Sequence, residues 1–116
     1  MNSEHSEQRK LIIWASWEIK SIPELALLFS IPNAGKRTQQ QAAWMIAEGL
    51  KSGVPDLFLP VMRYGKGGLF IEMKSEKGKL SENQIKWRDR LIVQGYEYAL
   101  CRTAEEAMKN IKEYLR

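Results

Sequence analysis

Two short apolar runs, Asp56-Leu57-Phe58-Leu59-Pro60-Val61 and Gly68-Leu69-Phe70-Ile71-Glu72-Met73-Lys74, flank the glycine-rich turn Tyr64-Gly65-Lys66-Gly67-Gly68. The pattern predicts a β-hairpin. Its second strand constrains the fold most. Residues two apart in a strand point to one face, so Glu72 and Lys74 project together while Ile71 and Met73 face the other way. A carboxylate and an ammonium in a segment that otherwise reads as buried are costly unless they are paired or used. A surface ion pair on a half-exposed strand is the bland alternative. Asp56 sits just upstream, at the end of the turn Gly53-Val54-Pro55-Asp56-Leu57.

The flanking sequence predicts helices and one further strand. A first helix runs from about Glu4 to about Lys20 with Leu11, Ile12, Ile13, Trp14 and Trp17, and Ser21-Ile22-Pro23 ends it, because proline disfavours helix at the preceding residue. Leu25 to Ile31 reads as a short buried strand stopped by Pro32. Thr38 caps a helix over Gln39 to Leu50 whose inner side carries Ala42, Ala43, Met45 and Ile46, with Gly49 and Gly53 at its end. Ser81-Glu82-Asn83-Gln84 forms a capping box that opens a helix to about Gln94. Tyr96 to Arg102 is a strand, and Thr103 caps a last amphipathic helix with Ala107, Met108, Ile111 and Leu115 on one side. The order helix, strand, helix, hairpin, helix, strand, helix gives an α/β or α+β domain with a central mixed sheet packed by helices.

At 116 residues the chain suits one domain, spanning 1–116, with a real core. Its apolar fraction of 44% is ordinary. No apolar run reaches the roughly 18 residues of a membrane span, and the polar start Met1-Asn2-Ser3-Glu4-His5-Ser6-Glu7 lacks a signal-peptide pattern. These features predict a soluble, cytoplasmic protein with no membrane partner. The single cysteine, Cys101, excludes an internal disulfide and reads as a core residue, and one histidine, His5, argues against histidine-based zinc chemistry. The four tryptophans fall mostly in helical apolar stripes, which suits core or interface use. The net charge of +4 permits a polyanionic partner without demanding one. Lys36 and Arg37, Arg63 and Lys66, and Lys77 and Lys79 sit in predicted loops, from which side chains can reach phosphates.

Asp56 and Glu72 are candidate ligands for a hard cation. Mg²⁺ and Mn²⁺ prefer oxygen donors and keep several waters, so one or two carboxylates plus a substrate phosphate suffice. The backbone carbonyl of Met73 is a natural third ligand. Lys74 is placed to orient or deprotonate an attacking water and to stabilise charge developing on a phosphate. Gln84 shares a helical arc with Trp87, Leu91 and Ile92; it serves the capping box, reaches toward the same water and phosphate, or does both. This is equipment for phosphodiester hydrolysis.

Gly-Val-Pro-Asp at 53–56, Ile-Glu-Met-Lys at 71–74 and Leu-Ser-Glu-Asn-Gln at 80–84 resemble, in that order, the PD-(D/E)XK nuclease superfamily. More narrowly they resemble its virus-type replication-repair nuclease (VRR-NUC) domain. The resemblance extends over nearly the whole chain, through Pro32-Asn33-Ala34-Gly35-Lys36-Arg37, Gly95-Tyr96 and Cys101-Arg102. It implies an α/β, restriction-endonuclease-like fold, with a central mixed β-sheet flanked by helices. It also implies Mg²⁺- or Mn²⁺-dependent DNA cleavage, with Asp56 and Glu72 holding metal and Lys74 serving catalysis. The family places an acid in its first helix. Glu4, Glu7 and Gln8 compete for that position; Glu4 fits the spacing to Gln8 and Trp14 best, and both acids also suit a helix's first turn as charges on the macrodipole. Stand-alone relatives resemble symmetric dimers, so a homodimer acting on branched or four-way junction DNA is expected. The alternatives are a catalytically silent nucleic-acid-binding module and a nuclease for linear duplex. Nothing in the sequence separates DNA from RNA.

Overall fold

The computed structural model describes residues 3–33 and 37–116. Its centre is the expected hairpin. β2 (Leu57–Leu59) and β3 (Leu69–Met73) run antiparallel with Leu57 opposite Ile71 and Phe58 opposite Phe70. β4 (Glu97–Cys101) lies parallel to β3, which a crossover must allow. Helix α3 (Glu82–Val93) supplies it and packs on β4. β1 (Phe29–Ser30) pairs antiparallel with β2 at the edge, giving the order β1-β2-β3-β4.

The alternation of β3 divides the sheet into two faces. Leu57, Leu59, Leu69, Ile71, Met73, Ala99 and Cys101 form one core with Leu11 and Ala15 of helix α1 (Glu4–Glu18) and Ala104, Ala107, Ile111 and Tyr114 of helix α4 (Ala104–Leu115). Burying each of the larger aliphatic side chains contributes about 1.5–3 kcal/mol. Phe70 and Glu72, one residue out of phase, belong to the other face. There Phe70 stacks on Phe58 at 4.2 Å between ring centres and meets Tyr96 edge-on at 5.2 Å. All five residues of β3 are therefore buried, Glu72 included. No helix among the described residues is long and apolar enough to cross a membrane.

Three expectations are corrected. Leu25 to Ile31 is not a continuous buried strand: Pro23 opens a 3-10 turn over Pro23–Leu27, and only Leu25 in it is buried. Proline presets the turn's first φ, and a short apolar run carries no period that tells a turn from a strand. The helix after Thr38 is α2 (Gln39–Ala47), and it has no buried inner face; Ala42 and Met45 are half-buried, while Ala43 and Ile46 are exposed. A full capping box between Thr38 and Gln41 satisfies its first backbone groups locally. In α1, Ile12, Ile13 and Trp17 face outward, as does Trp44 in α2, so Trp17 and Trp44 are not core residues. Trp14 does pack against the core, with the Lys112 ammonium 5.7 Å from its ring centre.

Glu7 joins α1 to α4. It is buried, and its Oε1 accepts a hydrogen bond of 2.8 Å from the N–H of Ala104, the first residue of α4. Its Oε2 accepts from Lys10 Nζ at 3.1 Å. The Ala104 N–H first, and Lys10 second, hold its carboxyl below the usual 4.5. A carboxylate there also complements the positive end of the helix. Glu7→Ala should therefore lower the urea midpoint at pH 7. Because the folded value is depressed, the contribution is complete above 4.5 and disappears as pH falls through the folded value. Unfolding titrations should show the gap between variant and parent closing in acid.

Candidate active site

Asp56 is fixed by the turn that precedes it. Gly53 has φ +93, a left-handed conformation, and a Cβ there would lie 2.8 Å from the backbone of Asn83. Only glycine lets this turn rest against the start of α3. Pro55 is fully buried, and Asp56 emerges immediately before β2. Its Oδ2 accepts a 2.7 Å bond from the N–H of Met73, and its carbonyl accepts one of 2.7 Å from Ile31. Asp56 is thus tied to the end of β3 on one side and to the segment after β1 on the other.

Glu72 lies beside it on β3, only 2% exposed. Its Oε1 is buried without a hydrogen-bond partner among the described residues. Its carboxyl is pushed up from 4.5 to about 9, first by burial and then by the neighbouring Asp56 carboxylate. Lys74 opposes this rise, and Glu4 adds to it. Four charged groups expected from the sequence therefore converge at one end of the hairpin. Lys74 follows β3 directly, half-buried, with its N–H bonded to the Cys101 carbonyl at 3.0 Å. Glu4 projects from the first turn of α1, and its Oε1 accepts from the N–H of Ser75 at 3.3 Å. Of the two acids that compete in α1, Glu4 reaches this cluster, whereas Glu7 is committed to α4.

Two hollows border Asp56. One, of about 470 Å³, is lined by Glu4, His5, Gln8, Ser30, Asn33 and Arg37. The other, of about 410 Å³, runs to Ser81 and Gln84 and has an apolar wall of Ile46, Leu50 and Val54. Gln84 closes its capping box, accepting from Ser81 N–H at 2.9 Å, and still lines this hollow. Its expected inward arc is only half-buried at Trp87 and Leu91, and Ile92 is exposed.

The basic residues divide. Arg37 lines the first hollow, its Nε bonded to the Asn33 carbonyl at 3.1 Å. Lys36 lies outside the described residues. Lys77 and Lys79 are exposed on the loop after β3. Arg63 and Lys66 are brought to the opposite end of the hairpin, where Arg63 pairs with Glu24 at 2.7 Å and donates to the Met62 carbonyl at 2.9 Å. Of the residues at the first hollow, Gln8 is named from sequence only as a competitor for the first-helix position, and His5, Ser30 and Asn33 are not expected there. The four-residue spacing of Glu4 and Gln8 on a helix was the available signal for Gln8; for Ser30 and Asn33 there was none. Cys101 is fully buried, and burial pushes its thiol up to about 12, which suits a core residue.

Two adjoining carboxylates with an ammonium nearby can hold a hard cation and receive a phosphate. Among the described residues no group of three or more His, Cys, Asp or Glu side chains is arranged to hold a metal alone. The donor set is therefore two carboxylates, which fits a cation that keeps waters and takes oxygens from carbonyl and phosphate. The buried Oε1 of Glu72 without a partner fits such a cation, since a carboxylate in this setting is otherwise driven to bind a proton. That proton has a consequence for the metal-free protein. With a folded value of about 9 against 4.5, Glu72 stabilises fully below 4.5, and the contribution is lost as pH rises to 9. In chelator, Glu72→Gln should melt higher than the parent at pH 9, by about 4 °C or more, with the difference vanishing toward pH 5. Thermal melts across this range check it.

The VRR-NUC domain profile matches residues 3–105. A solved structure described as a VRR_NUC domain protein superposes with a TM-score of 0.83 at 22% identity, covering 99% of this chain and 89% of that one. Its fold is the α/β arrangement described above. No curated protein matches. The matched span contains the Asp56, Glu72, Lys74 and Gln84 positions, and the chain belongs to the VRR-NUC family of nuclease-type domains.

Proposed function

We propose that this protein is a Mg²⁺- or Mn²⁺-dependent endodeoxyribonuclease whose catalytic centre is Asp56, Glu72 and Lys74, assisted by Gln84 and Glu4. The observation that carries this reading is the buried Glu72 carboxylate set against that of Asp56, which is half-buried and lines an open hollow, with Lys74 opposing their charge. Asp56, Glu72 and the Met73 carbonyl would hold the cation. When bound, such an ion polarises a phosphoryl oxygen and lowers the pKa of a water. Lys74 orients or deprotonates the attacking water and stabilises the negative charge that grows on the phosphate. Gln84, which lines the second hollow, would orient water and phosphate. Glu4, held by the Ser75 N–H, closes the acidic side of the site. Arg37, Lys77 and Lys79 would meet flanking phosphates, contacts that position a nucleic acid without reading its sequence.

The substrate we favour is branched DNA, such as a four-way junction, cleaved by a homodimer in DNA repair. The outward Trp17, 79% exposed, and Ile13, one turn apart on α1, and the outward Trp44 on α2 are exposed apolar side chains that support self-association. Two sites related by a two-fold axis match the symmetry of a junction.

Asp56→Ala, Glu72→Ala and Lys74→Ala should each lower turnover by about 10²-fold or more while leaving the circular dichroism spectrum intact, and chelator should abolish cleavage. Nicking by purified Glu72→Ala protein at the parental rate would overturn the assignment, and binding without cleavage in both Mg²⁺ and Mn²⁺ would favour a silent binding module. A panel of linear duplex, flap, junction and supercoiled plasmid should show preference for the junction. Sedimentation should give a dimer; a monomer at working concentration would remove the two-site reading. Affinity should fall steeply with salt.

A further inference from the structure

Arg102, just past the end of β4, directs its guanidinium to the loop that follows β3. Its Nη1 donates to the carbonyls of Ser75 at 2.6 Å, Gly78 at 2.7 Å and Glu76 at 3.3 Å. Three carbonyl dipoles aimed at one point repel one another unless a cationic donor gathers them, and hydrogen bonds from a charged donor are the strong ones. The gathered loop touches two groups of the proposed centre. The Ser75 N–H holds Glu4, and the Gly78 N–H returns to the Ser75 carbonyl at 3.1 Å. Gly78 also lies against the stem of Lys74: a Cβ there would be 3.4 Å from Lys74 Cδ and 2.8 Å from Ser75 Oγ. The N–H of Lys74 is bonded to the carbonyl of Cys101, the residue before Arg102. Arg102 and Lys74 are thus joined twice, through the strand ladder and through the loop.

We propose that Arg102 is a positioning residue for the nuclease reaction: by gathering the Ser75, Glu76 and Gly78 carbonyls it fixes the loop that sets the Lys74 side chain and the Glu4 carboxylate. The inference rests on the reading of Asp56, Glu72 and Lys74 as the catalytic centre. Arg102 touches neither substrate nor cation; it acts through the loop. Small misplacements of a catalytic group are costly in rate, so the effect falls more on turnover than on DNA affinity, to which Lys77 and Lys79 of the same loop contribute.

The test compares Arg102→Ala, Arg102→Lys and Glu72→Ala on supercoiled plasmid with Mg²⁺, together with amide exchange of the metal-free proteins. Arg102→Ala should lose about tenfold or more in turnover, a larger factor than any rise in KM for DNA. Its Ser75 and Gly78 amides should exchange faster while those of β3 keep their protection. Guanidinium ion at non-denaturing concentration should restore part of the turnover of Arg102→Ala and none of that of Glu72→Ala. Should Arg102→Ala not fold, Arg102→Lys carries the same two readouts, because it keeps the charge on a shorter, more strongly hydrated group. A folded Arg102 variant with parental turnover, or one that loses turnover with Ser75 and Gly78 exchange unchanged, overturns the inference alone. Persistent nicking by Glu72→Ala overturns the reading of the centre beneath it.

Discussion

Glu72 is a carboxylate on an otherwise apolar interior strand, and much of the structure is arranged around holding it there. Burial alone opposes its ionisation, and the Asp56 carboxylate beside it opposes it further. Such a group is held in place because β3 is paired with β4 along its whole length and with β2 over Leu69 to Ile71. Asp56 is held in turn by the Met73 N–H at the end of that same strand. The arrangement stores electrostatic tension at one end of the hairpin, which a hard cation or a proton relieves. An apolar residue at position 72 would pack without this cost, so the carboxylate makes physical sense as part of a site.

The two faces of the sheet have different tasks. One packs α1 and α4 in an aliphatic core, and Glu7 adds a bond from α1 to the first turn of α4. The other carries the Phe58–Phe70–Tyr96 aromatic cluster and Glu72. Because α1 is fixed by its core face, its first turn is also fixed, and Glu4 is delivered to the end of β3. Glu4 and Glu7, three residues apart on one helix, thus point to different partners.

The hairpin, the Thr38 cap of α2, the capping box of α3 and the charged alternation of β3 were legible because each rests on local period or local hydrogen bonding. Leu25 to Ile31 was misread because apolar content without a period does not distinguish a 3-10 turn from a strand. The inner face expected for α2 was misread for another reason: capping fixes where a helix begins but not whether a sheet lies beneath it. The loop basics looked equivalent in sequence, yet the hairpin sends Arg63 and Lys66 to one end and the acidic cluster to the other.

By itself the sequence determined the hairpin, the shared face of Glu72 and Lys74, the turn that presents Asp56 and the family to which the domain belongs. These follow from side-chain alternation, turn chemistry and the ordered motifs, which act over a few residues at a time. Only the tertiary structure decided that Glu4 rather than Glu7 faces the carboxylates, that β1 contributes Ser30 and the segment after it to the hollow, and that Arg102 gathers the loop beside Lys74. Those contacts join residues 24 to 97 positions apart. Chain folding brings them together, and no local spacing encodes which partner each will meet.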